Sequence, residues 1–423
     1  MGEGLIRANL NLSNLPKLDT AFRILLNSGM NMKYIIDSNR VVRYNSSYSD
    51  DALKYRIHNG KTYIPLPATL AISYTGAFPV YTDTLSFSDY KGIIAFNGKT
   101  LRASEQSKWY PVIYDTKNDR EITAVSYDIT IDCQDCKTIY VNGSAPQAGP
   151  VARLQSNRPF ELLLFTGDYA TQEFSGSNFL NADMPLDDAQ NFNKQIVGIK
   201  NFYEQKLGIT YPQKITFVQH KAIEPYSPDR SWGFVTFPSI AVAGGKFNNQ
   251  INRETGKFNH IYKYYFYAHE LGHYYFGNLL SPNSTLRWFF LESTAEYLSI
   301  KAAANEYGRD STLSYIKNAS RRLKEKMFIP LSKIARAEEI DELYRYNYGP
   351  LLLLAFEQKF GEQKTYKFLH SAIKRAGERT DYEFLKSTAM QSGISEKEWK
   401  EYEDHVIGLE DPRLLINKLL GTK

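Results

Sequence analysis

The sequence predicts a multidomain α and β protein, with an N-terminal antiparallel β domain over residues 1–170 and a mixed sheet followed by a mainly helical region over 171–423. Three observations carry that expectation. At 423 residues the chain is about three times the usual domain size, so more than one compact unit is needed. The first 170 residues are short β-branched or aromatic runs punctuated by Asn-Gly pairs, a pattern of hairpins. From about His260 onward, apolar residues recur at the helical period instead.

In order along the chain, Phe22 to Leu26, Val41 to Tyr44, Thr62 to Leu66, Gly92 to Phe96, Thr123 to Ile131, Thr138 to Val141 and Phe160 to Phe165 read as strands. Turns are expected at Asn59-Gly60, Asn97-Gly98 and Asn142-Gly143. A helix is expected over Asp187 to Leu207, then a strand at Lys214 to Gln219 and a strand pair across Trp232 to Ala243. Pro282 is expected to end a helix, and Gly308 and Pro330 to punctuate later ones. Amphipathic helices are expected at Pro350 to Phe360, Thr365 to Ala376 and Asp381 to Gln391. The sequence contains no fixed-period repeat and no low-complexity segment, which removes solenoids and disordered arrays.

Composition excludes further classes. There are 51 basic and 46 acidic residues, a net charge of +5, too weak a bias to argue for a nucleic-acid partner. The longest apolar run, Leu351 to Phe356, is far short of the roughly 18 to 20 residues of a membrane span. Met1 to Leu10 contains Glu3 and no apolar core, so no signal peptide is visible. The only cysteines, Cys133 and Cys136, lack the further ligands of a structural zinc site. They are bystander thiols or, in an exported protein, one tight-loop disulfide. Aromatic residues reach 14%, with 31 Tyr and 24 Phe, enough for cores and for surfaces that grip extended chains.

The chemistry is concentrated in Tyr267-Ala268-His269-Glu270-Leu271-Gly272-His273, an H-E-x-x-H pattern in a helical context. Residues at i and i+4 share one helix face, so the imidazoles of His269 and His273 can converge on one metal ion while Glu270 stays free to act on water. A zinc site with an open position needs a third protein ligand, and Glu292 on the next helix provides a carboxylate. Pro282, Asn283 and Ser284 can break the first helix and cap a second starting near Leu286. Glu296, at i+4 from Glu292, is either an acceptor for the ring N–H of a zinc-bound histidine or a solvated surface glutamate.

The run His269-Glu270-Leu271-Gly272-His273-Tyr274-Tyr275-Phe276-Gly277-Asn278-Leu279 followed by Glu292 resembles the H-E-L-x-H-x-x-F-G-N-L and spaced-glutamate signature of the M1 aminopeptidase family of gluzincins. Trp109-Tyr110-Pro111 with Tyr114-Asp115, the stretch Arg158 to Tyr169, and Trp232-Gly233-Phe234-Val235-Thr236-Phe237 are similar to further family segments. The resemblance implies an N-terminal β domain and a thermolysin-like zinc catalytic domain. It also implies one Zn2+ held by His269, His273 and Glu292, with Glu270 as general base. The family's catalytic tyrosine precedes a glycine by three residues, which puts the role on Tyr346 before Gly349, with Tyr344 and Tyr348 as neighbouring candidates. Many relatives carry a further large helical domain, and only a short stretch comes after His370, so a cleft open to long substrates is expected.

Departures from the family pattern bear on specificity. Where the family has G-A-M-E-N, whose glutamate binds the substrate's α-amine, this chain reads Ser227-Pro228-Asp229-Arg230-Ser231. Arg230 stands at the glutamate's position, and a cation there repels an ammonium. The expected function is zinc-dependent hydrolysis of peptide or protein substrates with altered N-terminal recognition, with Trp232, Gly233, Phe234 and Arg230 as substrate contacts. The competing reading is a catalytically weak relative that binds peptides through the same cleft. Likeness to exported bacterial members, with the sparse cysteines, favours an extracytoplasmic location.

Overall fold

The computed structural model describes residues 1–49, 52–82, 89–181, 184–223, 232–244 and 247–421. The chain packs as two compact units, Met1–Asp183 with Lys214–Phe247, and Met184–Gln213 with Asn248–Lys423. A boundary at 170/171 falls between the strands Leu164–Gly167 and Thr171–Glu173, both of which pack in the first unit.

The first unit is built almost wholly of strands, as β-branched and aromatic runs between tight turns dictate. Leu5–Leu12 pairs antiparallel with Leu70–Ala77, Leu5 opposite Ala77 and Leu12 opposite Leu70, and its side chains alternate between exposed and half-buried. A second sheet runs in the order Arg120–Ile122, Val112–Asp115, Phe22–Asn27, Ala52–His58, Arg43–Ser49. Ile24, Leu26, Ile35, Ile57 and Val112 are fully buried in one apolar cluster. A long ribbon joins Ala124–Asp132 to Val151–Glu161. The expected strand at Thr62 to Leu66 does not form: beyond the bridge His58 to Tyr63 it makes only scattered backbone bonds, Ile64 N–H to the Ile57 carbonyl and Leu66 N–H to the Leu18 carbonyl among them, and Pro65 cannot donate to a ladder. Phe160 to Phe165 is the end of one strand and the start of another, because Leu162 and Leu163 turn the chain between them. Cys133 and Cys136 are joined as a disulfide.

A mixed sheet completes this unit, in the order Thr171–Glu173, Ser177–Leu180, Ile215–His220, Ser239–Ala243, Trp232–Thr236. The inner pairs are parallel and the outer ones antiparallel, which leaves Trp232–Thr236 on an edge. Ile215–His220 lies in the middle, and Phe217 and Val218 are fully buried, as expected of a strand covered on both faces.

The second unit is helical. In α1 (Leu186–Leu207), Phe192, Ile196, Ile199 and Tyr203 are fully buried at helical spacing, and Asp187 and Asp188 in the first turn favour the positive end of the helix dipole. Then come α2 (Ile261–Gly272), α3 (Thr294–Tyr307), α4 (Arg309–Leu323) and α5 (Gly349–Phe360). Helix α5 is buried all round from Gly349 to Phe356, so it is a core helix and not the amphipathic one expected. Asp381 caps the Tyr382–Gln391 helix by accepting from the Phe384 N–H at 3.0 Å.

Of the π-helical turns that interrupt this regularity, two lie before α3 and α5, Phe289–Ser293 and Tyr344–Tyr348. They touch: Ser293 Oγ donates to the Arg345 carbonyl at 2.9 Å. Gly349 permits that approach, since a Cβ there would sit 2.1 Å from Ser293 Oγ and 2.6 Å from its Cβ. Gly349→Ala is therefore expected to lower unfolding stability by about 1 to 3 kcal/mol, read as a reduced denaturant midpoint at unchanged slope.

Candidate metal centre

Helix α2 begins after His260 and carries His269 and Glu270 in its last turn. It ends at Gly272, well before Pro282, so His273 is the residue just past the helix and not part of a longer one. Gly272 lets α3 come close, because a Cβ at this position would meet the Ala295 Cα at 3.2 Å. The chain then folds back through 273–280 with the Asn278, Leu279 and Leu280 N–H groups donating to the carbonyls of His273, Tyr274 and Tyr275. Ser284 Oγ accepts from the Leu286 N–H at 3.0 Å and donates to the Thr380 carbonyl at 2.6 Å, which starts the next helical segment.

These elements bring His269, His273 and Glu292 together, with one ligand atom from each within 4.8 Å of the others. Glu292 lies in the first π turn, and Tyr346 in the second. The Glu292 Oε2 is 3.2 Å from His269 Nε2 and 3.5 Å from His273 Nε2. The other ring nitrogens are held from behind: His269 Nδ1 is 2.7 Å from Glu296 Oε2, and His273 Nδ1 is 3.2 Å from the Phe276 carbonyl. A carboxylate and a carbonyl only accept, so each Nδ1 carries a proton, and each Nε2, turned to the Glu292 carboxylate, would offer its lone pair to a metal in place of any proton there. Two imidazole Nε2 atoms and a carboxylate turned to one point are the donor set of a zinc site with an open position, and the group fits zinc.

Without a metal the site is a close set of mutually paired charges. Burial pulls the His269 pKa down, but hydrogen bonds to Glu292 and Glu296 reverse this and push it up to about 10. Burial pushes Glu292 up, yet His269 and His273 more than offset it and hold its carboxyl well below the usual carboxylate range. Glu270, half-buried beside them, is raised by burial, against the pull of His269 and His273 and with a smaller push from Glu292 and Glu296. Tyr346 is raised by burial and by Glu292, whose carboxylate its hydroxyl reaches, and its ring lies 5.7 Å from that of His269.

Among the remaining expected residues, Trp232 and Phe234 are half-buried and stacked at 5.4 Å on the edge strand, while Gly233 is exposed. Arg102 stands over the Trp232 ring at 4.7 Å and Lys91 over Phe234 at 5.2 Å, so both rings are engaged by their own unit. Arg230 lies outside the described residues. Tyr344 and Tyr348 are fully buried, and Tyr348 donates to the Leu409 carbonyl at 2.6 Å, so neither reaches Glu292 as Tyr346 does. Sequence reasoning passed over Ser293, the Phe276 carbonyl and Tyr315, whose hydroxyl donates to the Tyr346 carbonyl at 2.5 Å. Only the proline directly after Gly349 hints at the last contact.

The fold is that of the M1 zinc metallopeptidases. An M1 zinc metallopeptidase from Deinococcus radiodurans superposes with a TM-score of 0.61 at 16% identity, covering 95% of this chain and 90% of that one. A mutant of that enzyme bound to a Tyr-Ser-Ala substrate matches at 0.61 and 15% identity, over 99% and 90%. Native LTA4 hydrolase from yeast matches at 0.60 and 13% identity over 95% of this chain, which spans 63% of the yeast chain. No protein-family model and no curated protein matches the chain by sequence.

The raised His269 pKa makes a pH prediction for metal-free protein. A histidine raised from 6.5 stabilises the fold fully below 6.5 and loses that contribution as pH rises towards about 10. A carboxyl lowered from 4.5 contributes above 4.5 and loses it as pH falls through its depressed value. The stability advantage of wild type over Glu292→Gln should therefore be full between about pH 4.5 and 6.5 and decline on either side, measured by urea unfolding across pH in chelator.

Proposed function

We propose that this protein is a zinc-dependent hydrolase of peptide bonds with altered recognition of the substrate N-terminus. The observation that carries the reading is the pairing at the metal centre: both histidines have the rear nitrogen engaged, and both front nitrogens face the Glu292 carboxylate. A surface histidine pair has no need of such anchoring. A peptide substrate is supported by the Tyr-Ser-Ala bound to the Deinococcus neighbour. Trp232, Gly233 and Phe234 are its proposed contacts. The disulfide Cys133–Cys136 supports an oxidising, extracytoplasmic compartment.

His269, His273 and Glu292 would hold the ion, which supplies Lewis-acid polarisation of the scissile carbonyl and lowers the pKa of water. Glu270 takes the proton from the attacking water and passes it to the leaving amine, and its raised pKa suits both halves of that transfer. The Tyr346 hydroxyl stays protonated at neutral pH, as its raised pKa requires, and donates to the developing oxyanion. Arg230, in place of the amine-binding glutamate, disfavours a free α-ammonium and favours a blocked or acidic N-terminus or internal cleavage.

The test is metal analysis with digestion of an unbiased peptide library. One zinc per chain and cleavage of peptides are expected, and fresh protein without zinc would falsify the reading. Glu270→Gln and Tyr346→Phe should each keep the zinc and lose about 10² to 10³-fold in kcat. Zinc binding with no hydrolysis by wild type would instead favour a peptide-binding relative. Arg230→Glu is expected to create cleavage at free N-termini, read as release of single amino acids from peptides that the wild type leaves intact.

A further inference from the structure

Helical serines commonly bond back into their own turn, and several in this unit do. Ser299, Ser311 and Ser392 each donate to the carbonyl three residues before, at 2.7, 2.8 and 2.6 Å. Ser293 does not. Fully buried and directly after Glu292, it reaches out of its own segment, and its Oγ donates to the Arg345 carbonyl at 2.9 Å.

The receiving carbonyl has lost its backbone donor. In a regular helix it would accept from the Gly349 N–H, but the π turn sends that N–H to the Tyr344 carbonyl. The residue after Gly349 is Pro350, which has no N–H to offer in its place. Gly349 also leaves the room that the serine needs, since a Cβ there would sit 2.1 Å from Ser293 Oγ. The Tyr346 carbonyl, four residues before the same proline, is met separately by the Tyr315 hydroxyl at 2.5 Å.

We infer that Ser293 is a positioning residue that sets the place of Tyr346 relative to the candidate ligand Glu292. The inference rests on the zinc hydrolase reading. The Arg345 carbonyl belongs to the planar peptide group that ends in the Tyr346 nitrogen and Cα, so a bond to this oxygen fixes the plane from which the Tyr346 side chain projects. The backbone of Ser293 is joined directly to that of Glu292, so one hydroxyl refers the tyrosine to the ligand. The Tyr346 ring lies 5.7 Å from that of His269, and misplacing a reacting group by about 1 Å can cost on the order of 10²-fold in rate. Without the hydroxyl the Arg345 carbonyl has no donor in its place, and the peptide plane can tilt.

The test is Ser293→Ala, which keeps the Cβ and removes the hydroxyl. Ser392→Ala is the control, because it removes a buried serine bond just past the Tyr382–Gln391 helix. The measurements are kcat and KM on a cleaved peptide, zinc affinity by chelator competition, Tm, and crystal structures of the zinc-loaded proteins. Ser293→Ala should lose about tenfold in kcat at unchanged KM and zinc affinity, with the Tyr346 hydroxyl displaced by about 0.5 to 1 Å. In the Tyr346→Phe background the same change should cost nothing further in kcat, because the group it positions is already gone. Ser392→Ala should lose Tm alone. Unchanged kcat, an unmoved Tyr346 hydroxyl, or an equal loss in the Tyr346→Phe background overturns the inference while leaving the hydrolase reading intact. Weakened zinc binding in Ser293→Ala also overturns it, since the bond then serves Glu292 and not Tyr346. If wild type binds zinc but cleaves nothing, the hydrolase reading fails and the hydroxyl displacement alone decides. A wild type that binds no zinc overturns both.

Discussion

The hydrogen bond between His269 Nδ1 and Glu296 is the constraint on which the centre depends. An imidazole can present a lone pair forward only if its proton is held behind, and in a buried site nothing but a protein acceptor can hold it. Glu296 does this for His269 with a full charge, and the Phe276 carbonyl does it for His273 with a dipole. The asymmetry comes from position. His269 is inside α2, facing α3, where a glutamate one turn beyond Glu292 can reach it. His273 is past the helix end, where the chain folds back and its own backbone is the nearest acceptor.

Two π turns then deliver the groups that a regular helix would misplace. One extra residue in a turn rotates the rest of the helix about its axis and frees carbonyls from their usual partners. Glu292 and Tyr346 both occupy such turns, and the freed carbonyls of Arg345 and Tyr346 are taken by Ser293 and Tyr315. The Ser293 bond to the Arg345 carbonyl thereby links the metal-side helix to the tyrosine-side helix. Gly349 makes this possible by having no side chain where Ser293 passes.

The aromatic surplus has a structural use around the same helix. Tyr264, Tyr267, Tyr274, Tyr275 and Phe276 are buried, and the hydroxyls of Tyr274 and Tyr275 donate to the carbonyls of Thr210 and Ile209 after α1. Tyr203 reaches across from α1 to the Ala268 carbonyl at 2.7 Å. A tyrosine fills core volume with its ring and satisfies a loop carbonyl with its tip, which suits a helix end that must be rigid and yet lies beside irregular chain. Phe266 and Tyr262 are the rings of α2 that face solvent.

Much of this was legible in one dimension. The i, i+4 histidines with the glutamate between them follow from helical spacing, the carboxylate of Glu292 from its residue type after a helix break, and the change from strands to helices from the change of period along the chain. The register of Asn-Gly turns located hairpins at Asn97-Gly98 and Asn142-Gly143, where strands flank each turn. What periodicity could not supply are the departures from it: the end of α2 at Gly272, the two π turns, and the full burial that sets Tyr344 and Tyr348 apart from Tyr346. Those depend on which carbonyls lose a partner and which distant side chain arrives to replace it. A hydroxyl on α4 meeting a carbonyl before α5 leaves no local pattern, because the residues are far apart in sequence and neither needs a particular neighbour. The sequence by itself determined which residues are candidate metal ligands, because that depends on residue type and local spacing. Only the tertiary structure decided how they are held, because holding them is the work of contacts between helices.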